Sequence, residues 1–121
     1  MSIQVIVKSR SKFPTNSYIV RVAREHAKRR RIAGGIFEIE IVSKKRIQEI
    51  NKKFRKIDRP TDVLSFPAAK FPGRVRLYGT IFLCSDIIKI NAGNNSKDFQ
   101  AGFDFILSHG IDHLIGIHHK E

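Results

Sequence analysis

A chain of 121 residues, 41% of them hydrophobic and 28% charged, holds enough apolar surface for one core, which excludes both two full domains and disorder throughout. A formal net charge of +12 directs it toward polyanions, with nucleic acid the leading partner class. The single cysteine, Cys84, excludes a disulfide within the chain and, set in an apolar run, reads as a buried inert thiol, which is compatible with a reducing compartment.

Ile3–Lys8 mixes Ile and Val with Gln and reads as a first strand; the run is too short and too soon interrupted by charge for a signal peptide. No apolar stretch approaches about 18 residues, so a soluble, cytoplasmic protein without a membrane partner is expected. Thr15 or Asn16 can cap a helix that carries Ile19, Ala23 and Ala27 on one face and closes at Gly34-Gly35. Residues 36–42 alternate apolar side chains with Glu38 and Glu40, the pattern of a half-buried strand. Ser43 can cap a second helix in which Ile47, Ile50, Phe54 and Ile57 form the apolar face and Lys44, Lys45, Arg46, Lys52, Lys53 and Arg55 the basic one. Residues 62–67 form a short strand-like run, 67–76 a basic loop rich in Pro and Gly, and Leu77–Leu83 a fourth strand. A short helix from Ser85 or Asp86 ends at Gly93, and the last helix begins near Asp98 with Phe99, Phe103, Ile106, Gly110 and Leu114 inward. Phe105 is expected mostly in the core and His26 as a structural or surface histidine. This order predicts a single α/β (α+β) domain over 1–121: a mixed sheet of about four strands packed with about four helices.

Four of the five histidines lie between residues 109 and 119. His109 and His113 are four apart, one turn on one helical face, where both imidazoles reach a common ion. Gly116, three residues on, can take positive φ, end the helix and turn His119 back toward them. Three neutral nitrogens leave a fourth tetrahedral position open, the mark of a catalytic site, and accept several divalent ions, zinc first among them. The spacing His-x-x-x-His-x-x-Gly-x-x-His matches the metzincin metalloproteases, except that Gly110 stands where their Glu base would be, which disfavours a peptidase. His118 could replace His119 as ligand, hydrogen-bond to the ligands or contact substrate. Asp112 reads either as a hydrogen-bonding neighbour of the site or substitute base, or as an ordinary exposed helical Asp.

Three blocks carry a family resemblance: residues 54–67, including Pro60-Thr61-Asp62-Val63-Leu64-Ser65-Phe66-Pro67; then Leu77-Tyr78-Gly79-Thr80-Ile81-Phe82-Leu83-Cys84-Ser85; then the histidine block. Together they resemble the YbeY family of metal-dependent bacterial endoribonucleases. The resemblance implies a small α/β fold, one zinc-like ion on His109, His113 and His119, a basic cleft for RNA, and a role in ribosomal RNA processing and in maturation or quality control of the small ribosomal subunit. It assigns Arg55 to the RNA phosphate, and leaves Thr61, Asp62 and Ser65 either to brace the cleft or to serve as caps and turns. Lys56, Arg59, Arg74 and Arg76 add basic surface for single-stranded RNA. The chain departs from the family pattern at Thr80 (an acidic residue in the family), Asp112 (aliphatic), Ile117 (aromatic) and His118 (Asp), and its sequence runs to Glu121 where members continue. The second reading, from another class, is a non-catalytic RNA- or ribosome-binding module with a structural or loosely held metal.

Overall fold

Apolar side chains alternating along a strand and recurring each turn of a helix bury together only if the helices lie on the sheet. The computed structural model, which describes residues 3–9, 14–68, 77–93 and 96–117, arranges the chain in this way. Its elements in order are β1 (Ile3–Lys8), α1 (Asn16–Arg29), β2 (Gly35–Ile41), α2 (Lys44–Arg55), β3 (Val63–Pro67), β4 (Leu77–Leu83), α3 (Ser85–Asn91) and α4 (Ser96–Leu114). The four strands form one mixed sheet in the order β1-β2-β4-β3. β1, β2 and β4 run parallel, and β3 pairs antiparallel with β4, with Ser65 opposite Ile81. Among the described residues, no helix is long and apolar enough to cross a membrane.

Alternate strand residues face two separate cores. Phe37, Ile39, Ile81 and Leu83 meet Ile19, Val22 and Ala23 of α1 and Phe103, Leu107 and Ile111 of α4. Leu64, Phe66 and Phe82, of opposite parity, meet Ile47 and Ile50 of α2, with Cys84 beside them. Burial pushes the Cys84 thiol pKa up and so keeps it protonated, as a buried inert cysteine requires.

The caps set the helix boundaries. The Thr15 hydroxyl accepts from the Tyr18 amide at 3.1 Å and the Ser43 hydroxyl from the Arg46 amide at 3.1 Å, each satisfying an amide with no partner in its own helix. α1 stops at Arg29, short of the expected Gly34-Gly35. Arg31 adopts left-handed φ 57, so the Ile32 amide reaches the Ala27 carbonyl and the Arg31 amide the Lys28 carbonyl, both at 3.0 Å. Lys56, at φ 63, ends α2 similarly. Because α2 stops there, the far end of its apolar face does not bury: Phe54 is 59% exposed and Ile57 41%.

α4 buries Phe99, Phe103, Gly110 and Leu114 as expected; its inward face is wider than that stripe, taking in the fully buried Leu107 and Ile111, while Ile106 is only partly buried. Gly110 lies close against β3 and β4. A Cβ on Gly110 would sit 3.2 Å from both Ile81 Cγ2 and Ser65 Oγ. At Gly79 a Cβ would lie 2.3 Å from the Phe66 carbonyl oxygen and 2.7 Å from Leu114 Cδ2. Gly79→Ala is therefore expected to lower stability by about 3 kcal/mol through overpacking and strain. Gly93→Ala, at φ +64 with nothing within 4 Å among the described residues, should lose only about 1 kcal/mol. Urea midpoints of the two variants check this, and equal losses would contradict the close seating of α4.

Candidate metal centre

The seating of α4 fixes which way its last turns face. With Gly110 and Ile111 against the sheet, His109 and His113 lie half-buried, one above the other, with ring centroids 4.7 Å apart. Their Nε2 atoms are 3.0 Å apart. Two imidazole nitrogens sharing a tetrahedral zinc-type ion are separated by roughly 3.3 Å, so this pair fits a common ion with only small adjustment. Gly116 performs the expected stop. At φ 88 it lets the Ile117 amide bond the Asp112 carbonyl at 2.8 Å and the Gly116 amide the His113 carbonyl at 3.2 Å, which closes the helix after Leu114. His118, His119, Arg74 and Arg76 lie outside the described residues.

Asp112 is neither exposed nor open to an ion. It is 2% exposed, with Oδ2 taking Arg30 Nη2 at 2.8 Å and Oδ1 taking Arg30 Nε at 2.9 Å. His26 Nε2 is 2.7 Å from Oδ1; the carboxylate oxygen can only accept, so the nitrogen carries the proton. A buried carboxylate is tolerable only when compensated, and here two side chains of α1 compensate it. The same hydrogen bonds hold the Arg30 guanidinium pKa above its ordinary value. Neither Arg30 nor His26 was a candidate from sequence, although His26 falls in the apolar stripe with Ala23 and Ala27, a place where a histidine needs a partner.

Arg55 joins the other side of this region. From the end of α2 it donates to the Ser65 carbonyl of β3 at 3.0 Å and lies over the Phe66 ring, 5.2 Å from its centroid. Ser65 in turn places its hydroxyl 3.5 Å from the Gly110 carbonyl, beside His109, so one strand residue touches both the arginine and the histidine helix. Lys56 folds its amine back toward the Lys53 carbonyl, 3.4 Å away. The Arg59 carbonyl is held by the buried Asn51 amide at 2.9 Å, and Thr61 Oγ1 lies 3.4 Å from Asp62 Oδ1, so Thr61 braces its own loop. The Asp62 carbonyl accepts the Cys84 amide at 2.9 Å, which ties that loop to the end of β4.

Phe105 departs from expectation. It is 67% exposed and leans on His109, with centroids 5.9 Å apart and planes at 31°. Beside it a groove of about 380 Å³ runs between α1 and α4, lined by His26, Arg29, Arg30, Ser108 and His109.

A family model described as Endoribonuclease YbeY matches residues 6–121. The chain belongs to the YbeY family. An Endoribonuclease YbeY of Aliarcobacter butzleri is 37% identical over 83 residues, which are 69% of this chain and 59% of that protein. One from Anaeromyxobacter dehalogenans is 32% identical over 120 residues, 96% of this chain and 62% of the relative. The chain thus spans less than two thirds of the length of these YbeY relatives. A solution structure of a Thermotoga maritima protein matches with TM-score 0.64 and 29% identity, over 97% of this chain and 75% of that one. Within this YbeY fold, Asp112→Ala would leave the buried His26 N–H without its acceptor. The expected loss is about 2–3 kcal/mol in urea unfolding, reduced by the partial exposure of Arg30; wild-type stability in that variant would rule out the clamp between α1 and α4.

Proposed function

We propose that the chain is a metal-dependent endoribonuclease that cuts single-stranded RNA in ribosomal RNA processing and small-subunit maturation or quality control, working in the cytoplasm. The observation that carries this reading is the pair of half-buried imidazoles whose Nε2 atoms converge to 3.0 Å. Membership in a family whose model is described as Endoribonuclease YbeY supports the reaction, and the net charge of +12 supports an RNA substrate.

His109 and His113 would hold one divalent ion, zinc by preference, with His119 as third ligand. Such an ion supplies Lewis acidity toward a phosphoryl oxygen and acidifies water near neutral pH. The chain's own residues do the rest. Gly110, packed against Ile81 and Ser65, keeps the two imidazoles on the outward side of α4. Arg55, oriented by the Ser65 carbonyl and the Phe66 ring, offers guanidinium donors where charge grows on the phosphate during cleavage. Lys56, Arg59, Arg74 and Arg76 add sequence-independent attraction for the RNA backbone. Asp112 keeps α1 against α4, and His118 is a neighbour of the third ligand.

The deciding experiment joins metal analysis of the purified full chain with cleavage of a labelled single-stranded ribosomal RNA fragment. About one equivalent of zinc is expected in the wild type, with loss of both metal and cleavage in His109→Ala and His119→Ala. Arg55→Ala should keep the metal while cleavage falls about 10²- to 10³-fold. A wild-type chain without stoichiometric metal would sink the reading. A chain that retained RNA without cutting it would establish a binding module instead.

A further inference from the structure

An aromatic ring in the middle of a helix, one turn before a candidate ligand, ordinarily buries, since exposure leaves its apolar surface in water. Phe105 is 67% exposed, the largest exposure among the large hydrophobic side chains of the described residues. It is laid against the His109 ring and so is held beside the candidate metal centre. Phe105 also forms a ridge between two hollows. One, of about 340 Å³, carries Asp62 and Asp98 in its wall. The other, of about 380 Å³, carries Arg29 from the last turn of α1 and Arg30 from its C-cap, with Asp104, Ser108, His109 and Asp112 from α4. Its volume falls in the range of small-ligand clefts, about 300–1,000 Å³.

Two carboxylates and two guanidiniums line that second hollow: Asp112 is paired with Arg30 and hydrogen-bonded by His26, and Asp104 accepts from the Tyr18 hydroxyl at 2.5 Å. Arg29, exposed at the end of α1, is the cation of this wall whose side chain stands outward beside Phe105. A flat π-face, a cation beside it and a serine hydroxyl at the edge together suit a nucleotide whose base is unpaired.

We propose that the groove between the end of α1 and α4 is a nucleotide subsite for single-stranded RNA, in which a base stacks on Phe105 and a neighbouring phosphate is met by Arg29. This inference rests on the reading of the chain as an enzyme acting on RNA. It gives the RNA a direction: over Phe105 and toward α1.

The test measures fluorescence anisotropy of the metal-loaded full chain with a labelled single-stranded 2′-O-methyl oligoribonucleotide, and cleavage of the unmodified oligomer in parallel. Phe105→Leu should bind about tenfold more weakly and Phe105→Tyr within about twofold of wild type, because stacking needs a ring and not bulk alone. Arg29→Ala should weaken binding and reduce the slope of log affinity against log salt by about one. Both side chains are exposed, so circular dichroism and thermal melting should match wild type. Equal binding by wild type and Phe105→Leu, with the unmodified RNA still cut, would overturn the subsite and leave the endoribonuclease reading intact. A wild-type chain that neither bound nor cut the RNA would overturn both.

Discussion

The close approach of α4 to β3 and β4 is the constraint on which the rest of the molecule depends. It is set where side chains are missing: Gly79 clears the Phe66 carbonyl and Leu114, and Gly110 clears Ile81 and Ser65. A helix lowered onto a sheet in this way has its rotation fixed, because each neighbouring residue then has only one side left to occupy. Phe103, Leu107 and Ile111 fill the interior, while Phe105, His109 and His113 are carried to the outer side. The glycine that disfavours a peptidase by occupying the position of its base is thus also a packing requirement. Its loss of chemistry and its contribution to the fold are one fact.

Charge is arranged around the same helix. A buried carboxylate one residue before His113 would be a liability if unpaired, and α1 supplies both the guanidinium and the imidazole that pair with it. Basic side chains therefore act in two ways in this chain. Arg30 is consumed within the fold and Arg29 faces outward, although the two are adjacent in the sequence. The net charge by itself cannot distinguish such residues; only their partners can.

The parts legible in the sequence were those decided locally. Thr15 and Ser43 as caps, the Glu38 and Glu40 alternation of β2, the stop at Gly116 and the shared face of His109 and His113 all depend on neighbours within a few residues. What failed depended on distant ones. Asp112 meets residues 82 and 86 positions away, and a helical wheel carries no information about the helix lying across it. Phe54 and Ile57 continued a convincing apolar stripe, but the left-handed turn at Lys56 ended α2 with that end uncovered. On α4 the stripe Phe99, Phe103, Gly110 and Leu114 buries as its spacing predicts, but Leu107 and Ile111 join it and Ile106 is only partly covered, which depends on the sheet lying beneath.

The turn that ends α1 has a consequence for how this chain could change over time. Arg31 holds φ 57, a conformation in which a side chain costs about 1 kcal/mol and which glycine adopts freely. Glycine there would make a sturdier helix end, yet the sequence retains a cation, completing the run Lys28-Arg29-Arg30-Arg31. Such a position is where selection for durability and selection for charge pull apart. Variants that gain heat resistance by relaxing this turn should therefore give up part of the positive charge gathered at the end of α1.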